Sequence, residues 1–356
     1  MSDKKNVLLV VNPCSGKTRT RSSAEDIIKQ FPEEEYEFSV HNTTCHGDAT
    51  NIVKNNYDDI DMVICCGGDG TLNETINGVM DMVERKPIGY IPMGTTNDLA
   101  NTLNIPLKAN EAVDLIKSGQ TNSYDIGLFN NRYFSYVASF GAFSSAAYKT
   151  SQKMKNIFGH SAYFWNGFMD WGSLKPIHVK VEYDGGVFED DVLLGAITNS
   201  TSMGGIFKFD REKIKLNDGY FEVFLVKNMN LLKIAPLYFK VQKGDLSDKA
   251  FVFIKTRQVK FTFGDEVEWC LDGEFGGEHK VVNANVLSKA IRIFSGENDL
   301  FEKDPEPEAV HEEEEKNEEK SRFRKFLKRT EKNIADVAVA EEAAEEEAVA
   351  EEVVTE

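Results

Sequence analysis

The stretch VICCGGDGTLNETINGV, residues 63–79, decides how this chain folds. A run of small apolar residues ends in Gly67, Gly68, Asp69 and Gly70, then continues as a helix-like segment from Thr71. An apolar run without polar breaks suits a strand covered on both faces. Glycines between such a strand and a helix permit positive φ and let a ligand approach the backbone. The helix start adds free N–H groups and the positive end of a dipole, which favour phosphate. Asp69 needs its own account, because a buried carboxylate without a partner is costly. Two accounts stand side by side. It caps the helix beginning near Thr71, or it contacts a nucleotide hydroxyl or a metal-bound water beside the phosphates.

Upstream and downstream, the same grammar repeats. Strand-length apolar runs occur at NVLLVV (6–11), YEFSV (36–40), DMVICC (61–66) and IGYIP (88–92). Helix-compatible stretches at 18–31, 48–57, 71–84 and 97–104 alternate with them. This alternation predicts βαβ units and a largely parallel sheet. Three of the strands run into short polar loops: NPCSG (12–16), GGDGTLNE (67–74) and MGTTNDLA (93–100). In a parallel sheet all three fall at the carboxyl edge, where open α/β folds bind ligands. Asn73 and Glu74 are expected in the first helical turn, where an acid suits the dipole. Asp98 poses the same question as Asp69. A Walker A loop is absent, since NPCSGKT keeps only the terminal GKT, and GGDGTL lacks the GxGxxG spacing.

From residue 122 to residue 298 the pattern turns β-rich. HVKVEY followed by DGGVF, and YDIGLF followed by NNRYF, are hairpin signals. VFIKT, VKFTF and AIRIF add short strands, and LLKIAPLYFKVQ reads as a helix. The expected division is an α/β nucleotide-binding domain at 1–121, a β-rich, sandwich-like domain at 122–300 and an acidic tail at 301–356. The second domain is expected to close back near the first.

Composition narrows the function classes. Of the formal charge of −18, residues 301–356 carry −11 (20 Asp/Glu against 9 Lys/Arg), leaving −7 on residues 1–300. The folded part is mildly acidic and shows no nucleic-acid footprint. The five cysteines, Cys14, Cys45, Cys65, Cys66 and Cys270, are odd in number and form no CxxC pair. Neither a disulfide framework nor a zinc site follows. No secretory leader and no run of about 18 apolar residues is evident, so a cytoplasmic protein without a membrane span is expected.

The motifs NPCSGK, GGDGTLNE and PMGTTNDLA resemble the nucleotide-binding motifs of the diacylglycerol kinase catalytic-domain superfamily, which includes bacterial soluble diacylglycerol kinases and related lipid kinases. The resemblance runs over residues 5–298, through YDIG (124–127), LNDGYFEV (216–223) and LDGE (271–274). GGDGT alone is shared with NAD kinases and phosphofructokinases; the combination is specific. The resemblance implies a kinase that binds ATP and Mg²⁺ between two domains. Asn12, Pro13, Cys14, Ser15, Gly16, Thr43, Gly68, Asp69, Gly70, Thr71, Leu72, Asn73, Glu74 and Thr95 would line the ATP site. Asp69 and Asp98 would stand close to the phosphates. It further implies a structural Mg²⁺ held by Asp218 with the carbonyls of Lys215 and Tyr220, and with Asp125 in the same network. Asp272 and Glu274 match the positions of the general base, usually the Glu. Cys14 and Asn101 depart from residues common in the family. Phosphoryl transfer needs positioning, charge neutralisation and a base near the incoming hydroxyl, which agrees with these assignments.

The acceptor is then a lipid hydroxyl, most simply that of diacylglycerol. An NAD-kinase-like activity and a nucleotide-sensing membrane adaptor are the alternatives. A lipid kinase must meet a membrane surface peripherally. The aromatic-rich stretch 132–171 reads mostly as core, with Phe158 to Trp171 open to an acyl-groove role. KSRFRKFLKRTEK (320–332) carries seven Lys/Arg against one Glu, beside an apolar stripe of Phe323, Phe326, Leu327, Ile334 and Val337. Such a segment suits an anionic lipid surface or a solvated linker helix. The acidic runs around it are expected to be disordered, or at most a solvated single helix. Oligomeric state is open, a homodimer included.

Overall fold

The computed structural model of the chain describes residues 4–16, 23–95, 97–141, 175–203, 207–229, 237, 240 and 245–302. Of the expected helix at 231–242, Leu237 and Lys240 are described and helical; its other residues, the candidate acyl groove at 158–171 and the whole tail from Lys303 lie outside the described residues. Residues 1–302 form one compact unit.

Four parallel strands carry the nucleotide-side motifs: β1 (Lys5–Val11), β2 (Tyr36–Asn42), β3 (Met62–Gly67) and β4 (Ile88–Pro92). Their order is β2-β1-β3-β4, with β1 pairing β2 and β3, and β3 pairing β4, all parallel. Val7 to Val10, all of β3 and all of β4 are buried, whereas edge strand β2 alternates with exposed residues. The helices between them are α1 (Ala24–Ile28), α2 (Asp48–Asn55), α3 (Asp69–Met80), α4 (Asp98–Thr102) and α5 (Ala109–Lys117). Leu72, Ile76 and Val79 recur on one stripe of α3 and are fully buried. Each contributes on the order of 1.5–3 kcal/mol of burial. Gly78 lets α3 lie against Val53 of α2, and Gly89 lets β4 lie against Ile116 of α5. The α5 helix is an addition to the expected set, although Ala112, Val113 and Ile116 have helical spacing.

The antiparallel part begins with β5 (Thr121–Phe129), β6 (Arg132–Phe134) and β7 (Val137–Gly141). It continues with β8 (Ile177–Tyr183), β9 (Gly186–Thr198) and a short pair, β10 (Ser202–Met203) and β11 (Phe207–Lys208). The last strands are β12 (Phe221–Lys227), β13 (Phe251–Thr256), β14 (Gln258–Leu271) and β15 (Glu274–Phe294). Both expected hairpins are present, β5–β6 and β8–β9. β7 and β8 each bridge β9 and β14, so the sheet folds over on itself. Its interior is aromatic: Trp269 meets Phe140 at 4.7 Å and Phe129 at 4.9 Å between ring centroids. Such pairs add about 0.5–1.5 kcal/mol beyond burial.

The chain does return to its beginning. β15 runs antiparallel to β14 and β5, then pairs in parallel with β4 at Ile293 and Ile88. The parallel and antiparallel strands are thus one hydrogen-bonded system, joined at β15 and β4.

Candidate active site

The parallel register brings Val11, Gly67 and Pro92 to one edge, and the three loops after them touch. Asn12 donates its backbone N–H to the Cys66 carbonyl (2.9 Å) and its side-chain Nδ2 to Thr71 Oγ1 (2.9 Å). Gly16 has φ +72°, and a Cβ there would run into the Met93 carbonyl. Gly94 lies so close to its neighbours that a Cβ would stand 2.6 Å from Asn97 Oδ1 and 2.7 Å from Gly68 Cα. These glycines are there because backbones meet, and the meeting builds one continuous surface. Thr43 joins it through its N–H, which donates to the Val11 carbonyl (2.8 Å).

The capping account of Asp69 is corrected by the helix start. The helix α3 begins at Asp69, with Gly68 as its N-cap, so the acid does not cap its own helix. Its Oδ1 accepts the Leu99 N–H (3.3 Å), with the N–H groups of Asn97 and Asp98 also directed at the carboxylate. It ties the second loop to the third. Burial pushes its carboxyl up, and those N–H groups pull against that rise. Asn97 adopts φ +52° and closes the third loop, accepting from Gly94 N–H (2.9 Å) and donating to the Gly94 carbonyl (3.1 Å).

The earlier helix start also corrects the reading of Asn73, which lies in the second turn of α3 rather than the first, and with it that of Glu74. Its carboxylate accepts from the N–H groups of Gly47 (2.8 Å) and Ala49 (3.1 Å), at the N-terminus of α2. It serves the neighbouring helix's orphan donors. Leu72 is wholly buried, so only its backbone can face a ligand. Asn73 is buried and accepts from Asn77 Nδ2 (2.9 Å). Pro13, Cys14 and Thr95 are exposed, and Ser15 and Asp98 are half-buried.

LDGE forms the hairpin turn between β14 and β15. Asp272 (φ +50°) and Gly273 (φ +90°) occupy its two central positions, the conformation that Asp-Gly supplies most readily. Asp272 is nonetheless buried. Oδ2 accepts from Ser135 N–H (2.5 Å) and Ser135 Oγ (2.8 Å); Oδ1 accepts from Val137 N–H (2.9 Å) and Tyr136 N–H (3.0 Å). Four donors occupy the carboxylate. Glu274, two residues on, is half-buried and faces the nucleotide-side loops: a Cβ built on Gly70 would stand 3.8 Å from its Oε1. Burial pushes its carboxyl up, and the neighbouring His46 opposes the rise. No motif points to His46, whose Nε2 lies 3.0 Å from Glu274 Oε1.

The second set of expected ligands gathers at the loop before β12. Asp125 accepts from Gly219 N–H (2.6 Å) and Lys289 N–H (2.5 Å), and burial pushes it to about 6. Asp218 accepts from Tyr220 N–H (3.0 Å) and Lys255 Nζ (2.5 Å). Lys215 turns its ammonium to the Asp299 carbonyl (2.5 Å), so only its own carbonyl is left to hold a metal. Glu222 is buried nearby, and neither of its carboxylate oxygens has a hydrogen-bond partner. Burial pushes it to about 8. Asp125 and Asp218 against the one ammonium of Lys255 leave a negative balance that a divalent cation would offset, while Glu222 at about 8 is mostly neutral.

Residues 6–129 match the family description "Diacylglycerol kinase catalytic domain", and residues 137–295 match "YegS C-terminal NAD kinase beta sandwich-like domain". The chain is 34% identical over 276 residues to a diacylglycerol kinase of Bacillus subtilis, covering 77% of this chain and 91% of that protein. It is 33% identical over 294 residues to one of Staphylococcus aureus, covering 82% and 93%. A crystal structure of a diacylglycerol kinase from Bacillus anthracis superposes with a TM-score of 0.67 at 23% identity, covering 83% of this chain and 99% of that one. At that identity the superposition speaks for the fold. Among the described residues no helix is long and apolar enough to cross a membrane.

Proposed function

The chain belongs to the diacylglycerol kinase family and is a lipid kinase, and we propose that it transfers the γ-phosphoryl group of ATP to diacylglycerol, giving phosphatidate. One observation carries the reading. A half-buried carboxylate, Glu274, stands beside the glycine turn at Gly70, the turn to which we assign the nucleotide phosphates.

The residues divide the work. Asn12 to Gly16, Thr43, Gly68 to Glu74, Thr95 and Asp98 form the ATP surface, with backbone N–H groups at the loop tips facing the phosphates. Asp69 holds two of those loops in register. Mg²⁺, when bound with ATP, neutralises charge on the transferring group. Glu274 is the base, because the Asp272 carboxylate is spent on four donors that fix the turn. In the transfer, the lipid hydroxyl gives its proton to Glu274 while its oxygen bonds the γ-phosphorus. The bond from that phosphorus to the β–γ bridging oxygen breaks, and its electron pair leaves with ADP. A second Mg²⁺, held by Asp218 and the carbonyls of Lys215 and Tyr220 with Asp125 behind them, would be structural.

We also take 1–121 as the ATP part and 122–300 as the lipid part, and we place the membrane encounter partly on the basic segment 320–338. Deleting 303–356 should weaken binding to anionic vesicles while nucleotide binding persists; unchanged sedimentation removes that role. The main test offers purified protein labelled ATP with diacylglycerol and, separately, NAD. Labelled phosphatidate is expected. Labelled NADP alone would overturn the reading.

A further inference from the structure

His46 lies in the loop between β2 and α2, and its ring stands between two carboxylates. Nε2 is 3.0 Å from Glu274 Oε1, and Nδ1 is 3.4 Å from Glu74 Oε1. Glu74 is fixed, since it already holds the Gly47 and Ala49 N–H groups, while the Glu274 side chain is 30% exposed. Glu74 therefore anchors the ring, and the ring reaches the base. Only a doubly protonated imidazolium can donate to both carboxylates at once. One atom from each of His46, Glu74 and Glu274 lies within 4.8 Å of the others, so a metal ion is the competing occupant; the two ring nitrogens nonetheless each stand nearest a different carboxylate, at ion-pair distance.

We propose that His46 is a positioning residue for phosphoryl transfer: its imidazolium, anchored on Glu74, aims the Glu274 carboxylate and holds it charged to receive the lipid hydroxyl's proton. The inference rests on the reading of Glu274 as the base. The charged groups facing Glu274 are His46 from the β2–α2 loop, Glu74 from α3 and Arg132 from β6. Burial and Glu74 favour its protonated form; His46 and Arg132 oppose them. Losing the imidazolium removes one of the two opposing charges, so Glu274 then needs a higher pH to ionise.

The test compares wild type, His46→Ala, His46→Gln and Glu274→Gln in kcat and KM across pH, with ATP and a short-chain diacylglycerol in detergent micelles. Glutamine keeps a hydrogen bond to Glu274 and removes the charge. For His46→Ala, kcat at neutral pH should fall about tenfold with the KM for ATP unchanged. The acid limb of the kcat profile should move up by about one pH unit in both His46 variants, and the rates should converge with wild type at high pH. His46 is exposed, and melting temperatures confirm folding; should alanine fail to fold, glutamine carries the test. A rate loss with the limb unmoved, or no change in either, overturns the proposal. So does stoichiometric Zn²⁺ binding to wild type that His46→Ala abolishes and that activity requires. An active Glu274→Gln would instead sink the reading of the base, and an inactive wild type the kinase reading itself.

Discussion

Two turns in this molecule are built from glycine and an acid, yet they use their backbones in opposite ways. At the end of β3, Gly68, Asp69 and Gly70 turn a parallel strand into α3, whose N-cap Gly68 has no side chain to cap the helix start. At the end of β14, Asp272 and Gly273 turn an antiparallel strand back on itself, and Asp272 gathers four donors from Ser135, Tyr136 and Val137. The first turn presents its backbone; the second uses its acid as an anchor and presents the next side chain, Glu274. The same local vocabulary presents a helix start in one place and a rigid mount for a side chain in the other.

Changing the presented group should have the largest effect. Glu274→Gln is expected to lower kcat by about 10²–10⁴-fold, to leave nucleotide binding intact and to flatten the acid limb of the rate profile. Steady-state kinetics with a fluorescent nucleotide titration decide it, and a fully active variant would erase the contrast between the turns. Next is the anchor. Asp272→Asn turns an amide N–H₂ toward donors and should cost about 3 kcal/mol in urea unfolding, with activity falling alongside. An unchanged midpoint would show that the four donors do not hold the turn.

The parallel side sharpens through Gly94→Ala, whose Cβ must displace Asn97 or the Gly68 backbone. An affinity loss for ATP of about tenfold, or roughly 1.4 kcal/mol, is expected, with kcat at saturation changed less. The smallest effect is a labelling pattern. Exposed Cys14 and Cys45 should react with a thiol reagent in the native protein, and ATP should protect Cys14. Burial pushes the Cys65 thiol to about 12 and Cys66 upward too, so both should react only after unfolding. Equal labelling of Cys14 with and without ATP would move the nucleotide away from the first loop.

The parallel side was the more legible of the two in sequence. Each apolar strand there is followed at once by its loop, so chain order alone places three glycine loops on one edge. Glu74 was misplaced because two residues of helix preceding Thr71 cannot be told from loop when they are Asp and Gly. The roles of Asp272 and His46 were illegible for a physical reason. Asp272 reads as a surface turn until Ser135 to Val137 arrive beside it through the pairing of β7 with β14. His46 reads as an exposed loop histidine until the fold brings Glu274 to its ring. Long-range strand pairing makes both sites, and no local pattern encodes it.

β15 carries one more consequence, a mechanical one. Its first residue is Glu274, the proposed base, and its far end is sewn to β4, so a single strand links that side chain to the parallel sheet. Its pairing with β5 slips between Leu287 and Ile291, where Lys289 turns to φ +50° and its N–H is pinned by Asp125. Asp125 pins that slip and also accepts from the Gly219 N–H, so the loop that carries Asp218 and the kink in β15 share one carboxylate.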